Sequence, residues 1–143
     1  MTLFPHAGGC HCGAVRWHFD TGQALAAFTP RACDCDYCTR HGAAWVSDPA
    51  GRLRIRAATG KLQRYRQGSG QAEFLSCRDC GVLVAVVMHD GDGRLLGAAN
   101  RNAFDARAEF GEPAVVSPQQ LAPEAKLARW TRLWTPVELA AVN

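Results

Sequence analysis

Gly9-Cys10-His11-Cys12-Gly13-Ala14-Val15-Arg16-Trp17-His18-Phe19 joins two signals in one short stretch. Two thiols one residue apart are followed by a glycine, and strict alternation then sets in. Val15, Trp17 and Phe19 fall on one face and Arg16 and His18 on the other, the period of a half-buried strand. The same period recurs in Leu53-Arg54-Ile55-Arg56-Ala57, with Ala43 to Val46 and Lys61 to Arg66 as shorter candidates. Val82 to Met88 is an unbroken apolar run suited to a central strand, and Leu95 to Ala99 adds another.

Turn chemistry separates these runs. Thr59-Gly60, Gly68-Ser69-Gly70 and Asp90-Gly91-Asp92-Gly93 supply residues that tolerate positive φ or bond locally to the backbone. A mainly β, hairpin-rich fold is expected. Pro123 to Trp134 places Leu127, Trp130 and Trp134 at helical spacing, with Lys126, Arg129 and Arg132 left for solvent, so a short C-terminal helix is expected there. Trp17 and Trp45 read as strand core, Trp130 and Trp134 as the buried stripe of that helix.

No repeat, low-complexity tract or linker divides the chain, and its 143 residues suit one domain spanning 1–143. At 48% hydrophobic and 20% charged the composition is that of an ordinary globular protein. The net charge of +3 comes from 16 Lys and Arg spread without a polybasic run, so nothing in it favours nucleic acid. Val82 to Met88 falls far short of a membrane span. Met1 to His6 lacks both the basic start and the apolar stretch of a secretory signal, and a reducing cytoplasm is the expected compartment.

The 7 cysteines come grouped, as Cys10/Cys12, Cys33/Cys35/Cys38 and Cys77/Cys80. C-x-C and C-x-x-C spacings in a reducing compartment suit metal ligation better than disulfides. Zinc takes four tetrahedral ligands in a structural site and leaves one position open in a catalytic site, so the thiols divide into four and three. Cys33, Cys35 and Cys38 reach one ion at little loop-closure cost. Cys10, Cys12, Cys77 and Cys80 then form a clasp between distant parts of the chain, with Gly13 and Gly81 supplying tight turns. Other partitions fit the spacing too, such as Cys33 and Cys35 with Cys77 and Cys80. A rival for the trio is a closed site completed by His41, His11, His18 or His89.

The order Gly9-Cys10-His11-Cys12-Gly13, then Cys33-Asp34-Cys35-Asp36-Tyr37-Cys38-Thr39-Arg40-His41-Gly42-Ala43, then Cys77-Arg78-Asp79-Cys80-Gly81 resembles the glutathione-dependent formaldehyde-activating enzyme family, which also includes centromere protein V. Gly60-Lys61-Leu62, Tyr65, Ser69-Gly70 and Phe74 resemble the family's linking segment, and Leu75-Ser76 departs from it where many relatives carry a Phe beside the cysteine. The resemblance implies folded antiparallel sheets around a structural zinc, similar to the B-type methionine sulfoxide reductases. It implies that Cys10, Cys12, Cys77 and Cys80 hold the structural zinc. It also implies that Cys33, Cys35 and Cys38 hold a second, more labile zinc at a catalytic, open site. Two zinc ions per chain are therefore expected, the second easily lost on purification. The implied activity is that of a carbon-sulfur lyase acting on a thiol adduct such as S-hydroxymethylglutathione, with glutathione and an aldehyde as partners.

Three thiolates around a dication leave a net charge of −1, which suits thiolate binding better than activation of water. A substrate thiol at such a site is expected to add to an aldehyde carbon, giving a hemithioacetal, or to be released from one. His41 and Tyr37 are the candidate acids for the developing alkoxide, and Arg40 is a candidate donor to a substrate carboxylate. Asp34 and Asp36 read as solvent-facing residues or acceptors of backbone bonds. The rival class is a non-catalytic zinc module for protein or nucleic acid, which calls for a basic surface with exposed aromatics that the sequence lacks. A zinc-bound reductase calls for an eighth cysteine.

Overall fold

A computed structural model describes residues 2–142. In chain order the elements are β1 (Phe4–Gly9), β2 (Val15–Thr21), β3 (Arg31–Cys33), α1 (Asp36–His41), β4 (Trp45–Val46), β5 (Arg52–Ala58), β6 (Leu62–Tyr65), β7 (Glu73–Cys77), β8 (Leu83–His89), β9 (Leu95–Asn100), β10 (Ala114–Val116), α2 (Pro123–Leu133) and β11 (Thr135–Val142). The expected mainly β class holds, and so does the C-terminal helix, now α2. No helix among the described residues is long and apolar enough to cross a membrane.

The strands form two sheets joined by β11. In the first, β1, β2 and β5 pair antiparallel in succession, with Trp17 opposite Ile55, and β11 lies parallel to β5 from Val137 to Val142. In the second, β6, β7, β8 and β9 form an antiparallel series. The other edge of β9 is shared end to end. Thr135 and Pro136 of β11 face Gly97 and Leu96, and Trp45 and Val46 of β4 face Asn100 and Ala99. Beyond β4 come β3 and, parallel to it, β10. The folded, mainly antiparallel sheets implied by the resemblance are present, with two parallel pairings, β5 to β11 and β3 to β10, each joined by a long crossover.

The alternation read in the sequence buries the main core. Val15, Trp17, Phe19, Leu53 and Ile55 of the first sheet are at most 1% exposed and pack against Leu75, Val84 and Val87 of the second. Each such side chain contributes about 1.5–3 kcal/mol by leaving water. Phe104 fills the middle, edge-on to Trp17 at 4.6 Å between ring centroids, and the Trp17 indole N–H donates to the Val84 carbonyl at 3.2 Å.

β8 explains its unbroken apolar run by burying both faces. Val84, Ala85 and Val87 belong to the main core, while Leu83, Val86 and Met88 join Trp45, Phe74, Leu96 and Trp134 in a second core. Leu127, Trp130 and Leu133 of α2 close that second core from outside. Its rim carries Cys33, Cys35 and Cys38.

Candidate metal centres

Cys10 and Cys12 lie in the turn between β1 and β2, Cys77 ends β7, and Cys80 sits in the turn before β8. All four sulfurs lie within 4.8 Å of one another. Cys12 Sγ is 3.8 Å from Cys10 Sγ and 3.6 Å from Cys77 Sγ. A tetrahedron with zinc–sulfur bonds of about 2.3 Å has sulfurs about 3.8 Å apart, so the thiols already stand at ligand spacing. Gly13 at φ +87° and Gly81 at φ +80° turn the backbone so that its N–H groups face inward. Val15 N–H donates to Cys10 Sγ at 3.2 Å and Asp79 N–H to Cys77 Sγ at 3.3 Å.

Electrostatics at this cluster favour a cation. Burial raises the Cys80 thiol, but N–H groups of Val82, Cys12 and His11 together with the Cys77 thiol hold it down at about 6. The Ala14 N–H lowers Cys12, yet its hydrogen bonds with the neighbouring thiols, Cys77 first, outweigh that and push it up to about 11. One sulfur is ready to ionise, and its neighbour resists a second negative charge. A dication held among them removes that conflict.

Cys33 ends β3, Cys35 caps the N-terminus of α1, and Cys38 lies in the helix's first turn. The Cys35 sulfur accepts from the Cys38 N–H at 3.4 Å, so the cap itself aims two thiols at one point. Gly42, at φ +61°, ends the helix. The three sulfurs also lie within 4.8 Å of one another. Cys33 is held down at about 6 by its hydrogen bond with Cys38, against burial and with help from the Cys35 N–H. Cys38 is pushed up, first by that same bond and then by burial. Among the described residues no histidine joins either cluster. His41 is exposed and packs against Tyr37, with ring centroids 4.7 Å apart.

The trio opens onto a cavity of about 220 Å³ whose apolar wall includes Trp45, Phe74, Val86, Trp130, Leu133 and Trp134. Its polar lining includes Gln67 and Ser69, and its cations are Arg31, Lys126 and Arg129. Gln67 Nε2 is 4.0 Å from Cys35 Sγ. Arg31 donates to the Ser47 hydroxyl at 2.7 Å, and Ser47 donates to the Leu133 carbonyl at 2.6 Å. Burial, and after it the charge of Arg129, lowers Arg31 to about 10. Arg31 therefore stays charged near neutral pH.

Several sequence expectations change here. Lys126 and Arg129, expected to face solvent, line the cavity, and so do Trp45, Trp130 and Trp134, while Trp17 stays in the main core. Arg40 pairs with Asp36 at 3.1 Å on the exposed face of α1 and does not line the cavity. Tyr37 and His41 do not line it either. Burial, with the charges of Cys38, Tyr65 and Cys35, pushes the Tyr37 phenol up to about 12. Asp34 accepts from the Ser117 hydroxyl at 2.5 Å and from the Gln119 amide at 3.0 Å, fastening the end of β10 beside β3. Asp36 is exposed, as expected. Arg31 and Gln67 went unnoticed in the sequence, although Arg31 stands two residues before Cys33, where strand geometry returns a side chain to the same face.

One thiol cluster clasped between two turns and one open to a lined cavity, on a mainly β framework, define a class of protein with two sites that could hold metal ions. A model of the family described as "Glutathione-dependent formaldehyde-activating enzyme" matches residues 5–126, which take in all the cysteines. The chain belongs to the glutathione-dependent formaldehyde-activating enzyme family. It is also similar to the crystal structure of a Rhodobacter sphaeroides protein, with 26% identity and a TM-score of 0.59 over 77% of this chain and 99% of that one. Membership supports an enzyme of the formaldehyde-activating type with glutathione as partner.

Proposed function

We propose that the chain is a zinc-dependent carbon-sulfur lyase-type enzyme acting on a thiol adduct such as S-hydroxymethylglutathione. In this reading Cys33, Cys35 and Cys38 hold the zinc of the reacting site, and Cys10, Cys12, Cys77 and Cys80 hold a structural zinc. The observation that carries it is the contrast between the clusters. Four thiols complete a tetrahedron between two turns, whereas three gather at the mouth of an aromatic-walled cavity and leave one position for a ligand.

When bound by the trio, zinc supplies a Lewis acid that favours the thiolate form of a substrate sulfur. The chain supplies the rest. Cys35 caps α1 and Cys33 ends β3, so two rigid elements fix the three ligands. Trp45, Phe74, Trp130 and Trp134 exclude water from the reacting carbon, which protects a reactive aldehyde from competing hydration. In the forming direction sulfur donates its electron pair to the carbonyl carbon and the oxygen takes up a proton. In reverse the hydroxyl gives up its proton, the carbon–sulfur bond breaks and the pair returns to sulfur. Gln67 and Ser69 are uncharged polar side chains on the wall that can hold that hydroxyl, while the third, Gln119, donates to Asp34.

The same reading goes with a reducing, cytoplasmic setting, in which closely spaced thiols stay available as metal ligands. The test begins with metal content. Chain purified reduced and without chelator is expected to carry two zinc ions, and the Cys33/Cys35/Cys38→Ser variant one. Exchange spectroscopy with glutathione and formaldehyde is then expected to show faster interconversion with the native chain than with the variant. A native chain holding a single ion, or no acceleration with any of several thiols and aldehydes, overturns the reading.

A further inference from the structure

We propose that Arg31 and Arg129 are specificity-determining residues that hold a carboxylate of the substrate beside the Cys33, Cys35 and Cys38 cluster. This deepens the thiol-site reading above and rests on it. Both residues line the cavity onto which the three thiols open. Arg31 precedes Cys33 by two residues on β3, so both point to the same side of the strand. Arg129 reaches the cavity from α2, three residues beyond Lys126, on the same face of that helix.

Among the described residues no side-chain carboxylate is ion-paired with Arg31, Lys126 or Arg129. Arg31 has a neutral partner, the Ser47 hydroxyl, whose own proton is committed to the Leu133 carbonyl. Asp36, the one acidic residue on the lining, is paired with Arg40. Three cations therefore share a mostly aromatic and aliphatic wall. Like charges gathered away from bulk water repel, and an anion entering among them relieves that repulsion. A guanidinium fork matches a carboxylate in shape and donates two parallel hydrogen bonds to it. The site is thus built to prefer a thiol that carries a carboxylate over a neutral one, and a neutral thiol over a cationic one.

Trp45, Trp130 and Trp134 line the cavity, so intrinsic fluorescence reports its occupancy directly. The test titrates the reduced, zinc-loaded chain at fixed ionic strength with mercaptosuccinate, thioglycerol, cysteamine and, as a carboxylate without a thiol, succinate. Mercaptosuccinate is expected to bind at least about tenfold more tightly than thioglycerol, the usual scale of a charge-assisted hydrogen bond, with cysteamine weakest. Arg129→Gln is expected to remove most of that preference, and Arg31→Lys to keep more of it than Arg31→Gln. Melting curves verify that each variant is folded, and Arg129→Gln, on the half-buried side of a surface helix, carries the test should Arg31→Gln fail to fold. Equal binding of mercaptosuccinate and thioglycerol to the native chain, or a preference untouched by Arg129→Gln, overturns the assignment. Succinate separates the two readings. If succinate binds through Arg129 and a thiol adds nothing, the carboxylate site stands and the thiol site falls. If thiols bind without regard to charge, the thiol site stands and this assignment falls.

Discussion

Two residues along a strand and two along a helix lead to opposite places, and this chain shows both. Arg31 lies two before Cys33 on β3 and faces the cavity; Arg40 lies two after Cys38 on α1, about 200° around the helix axis, and faces solvent. Sequence proximity to the trio therefore pointed to an arginine that does not line the cavity. The cysteine groups themselves were legible in their spacing, but the pairing of Cys10 and Cys12 with Cys77 and Cys80 depends on which hairpin turns meet in space, and spacing carries no such information. Gly8 shows a second limit. A Cβ there would stand 2.4 Å from a Trp17 ring carbon and 2.5 Å from the Ala103 carbonyl, contacts invisible without the fold. Gly8→Ala is expected to lower unfolding free energy by about 1–3 kcal/mol in a denaturant titration, the usual range for overpacking. Within the clusters, Cys33→Ser is expected to lose one metal equivalent while keeping the native circular dichroism spectrum, whereas Cys77→Ser loses the native spectrum as well.

Elements were read best where one face is fully buried. β2 and β5 alternate cleanly because their inward side chains fill the main core, and β8 is continuous because it buries both faces. β1, β3, β7, β10 and β11 were not foreseen. β11 does alternate, but its inward Val137 and Leu139 are only half-buried, so the pattern is shallow. The turn between β8 and β9 was legible, and Asp90 is its fastener. That buried carboxylate accepts from the N–H groups of Asp92 and Arg94, each at 2.9 Å, and from Arg94 Nε at 2.8 Å. Burial raises its proton affinity, but these donors outweigh burial and hold the carboxyl below the usual range. Asp105 is likewise lowered, chiefly by its hydrogen bond with Arg16. A depressed native value means that the stabilisation is complete above the unfolded carboxylate pKa of about 3.9 and is lost as pH falls through the native value. Asp90→Asn is therefore expected to lower the melting temperature near neutral pH and to make melting temperature less steep against pH between about 4 and 2. On α1, the exposed Arg40–Asp36 pair is expected to matter little. Arg40→Ala should change stability by less than about 0.5 kcal/mol and leave thiol binding as it was.

At the scale of the whole molecule, the four-thiol cluster is a staple between sheets. Cys10 and Cys12 belong to the β1–β2 hairpin of the first sheet, and Cys77 and Cys80 to the β7–β8 hairpin of the second. A metal crosslink there closes a long loop, and the loop-closure contribution for one of this length is about 4 kcal/mol. Removal of metal by a strong chelator is expected to lower the melting temperature of the native chain, and to lower it by a similar amount in the Cys33/Cys35/Cys38→Ser variant. A drop confined to the native chain would show that the open site, not the clasp, carries the stabilisation. The overall class and the thiol groups were visible from the sequence, whereas the cavity was not. Its walls come from β3, α1, β4, the loop before β7, β7, β8, β10 with the segment after it, and α2, parts of the chain that meet only in the folded molecule.

β11 pairs with β9 through its first residues and with β5 through the rest, so it borders both sheets, and it follows the other described strands in chain order. Without it, β5 has one bare edge and β9 is bare at Leu96 and Gly97. Bare strand edges recruit other chains. Any state in which β11 is undocked therefore presents two bare edges at once, one on each sheet, and is far more open to misassembly than the folded chain.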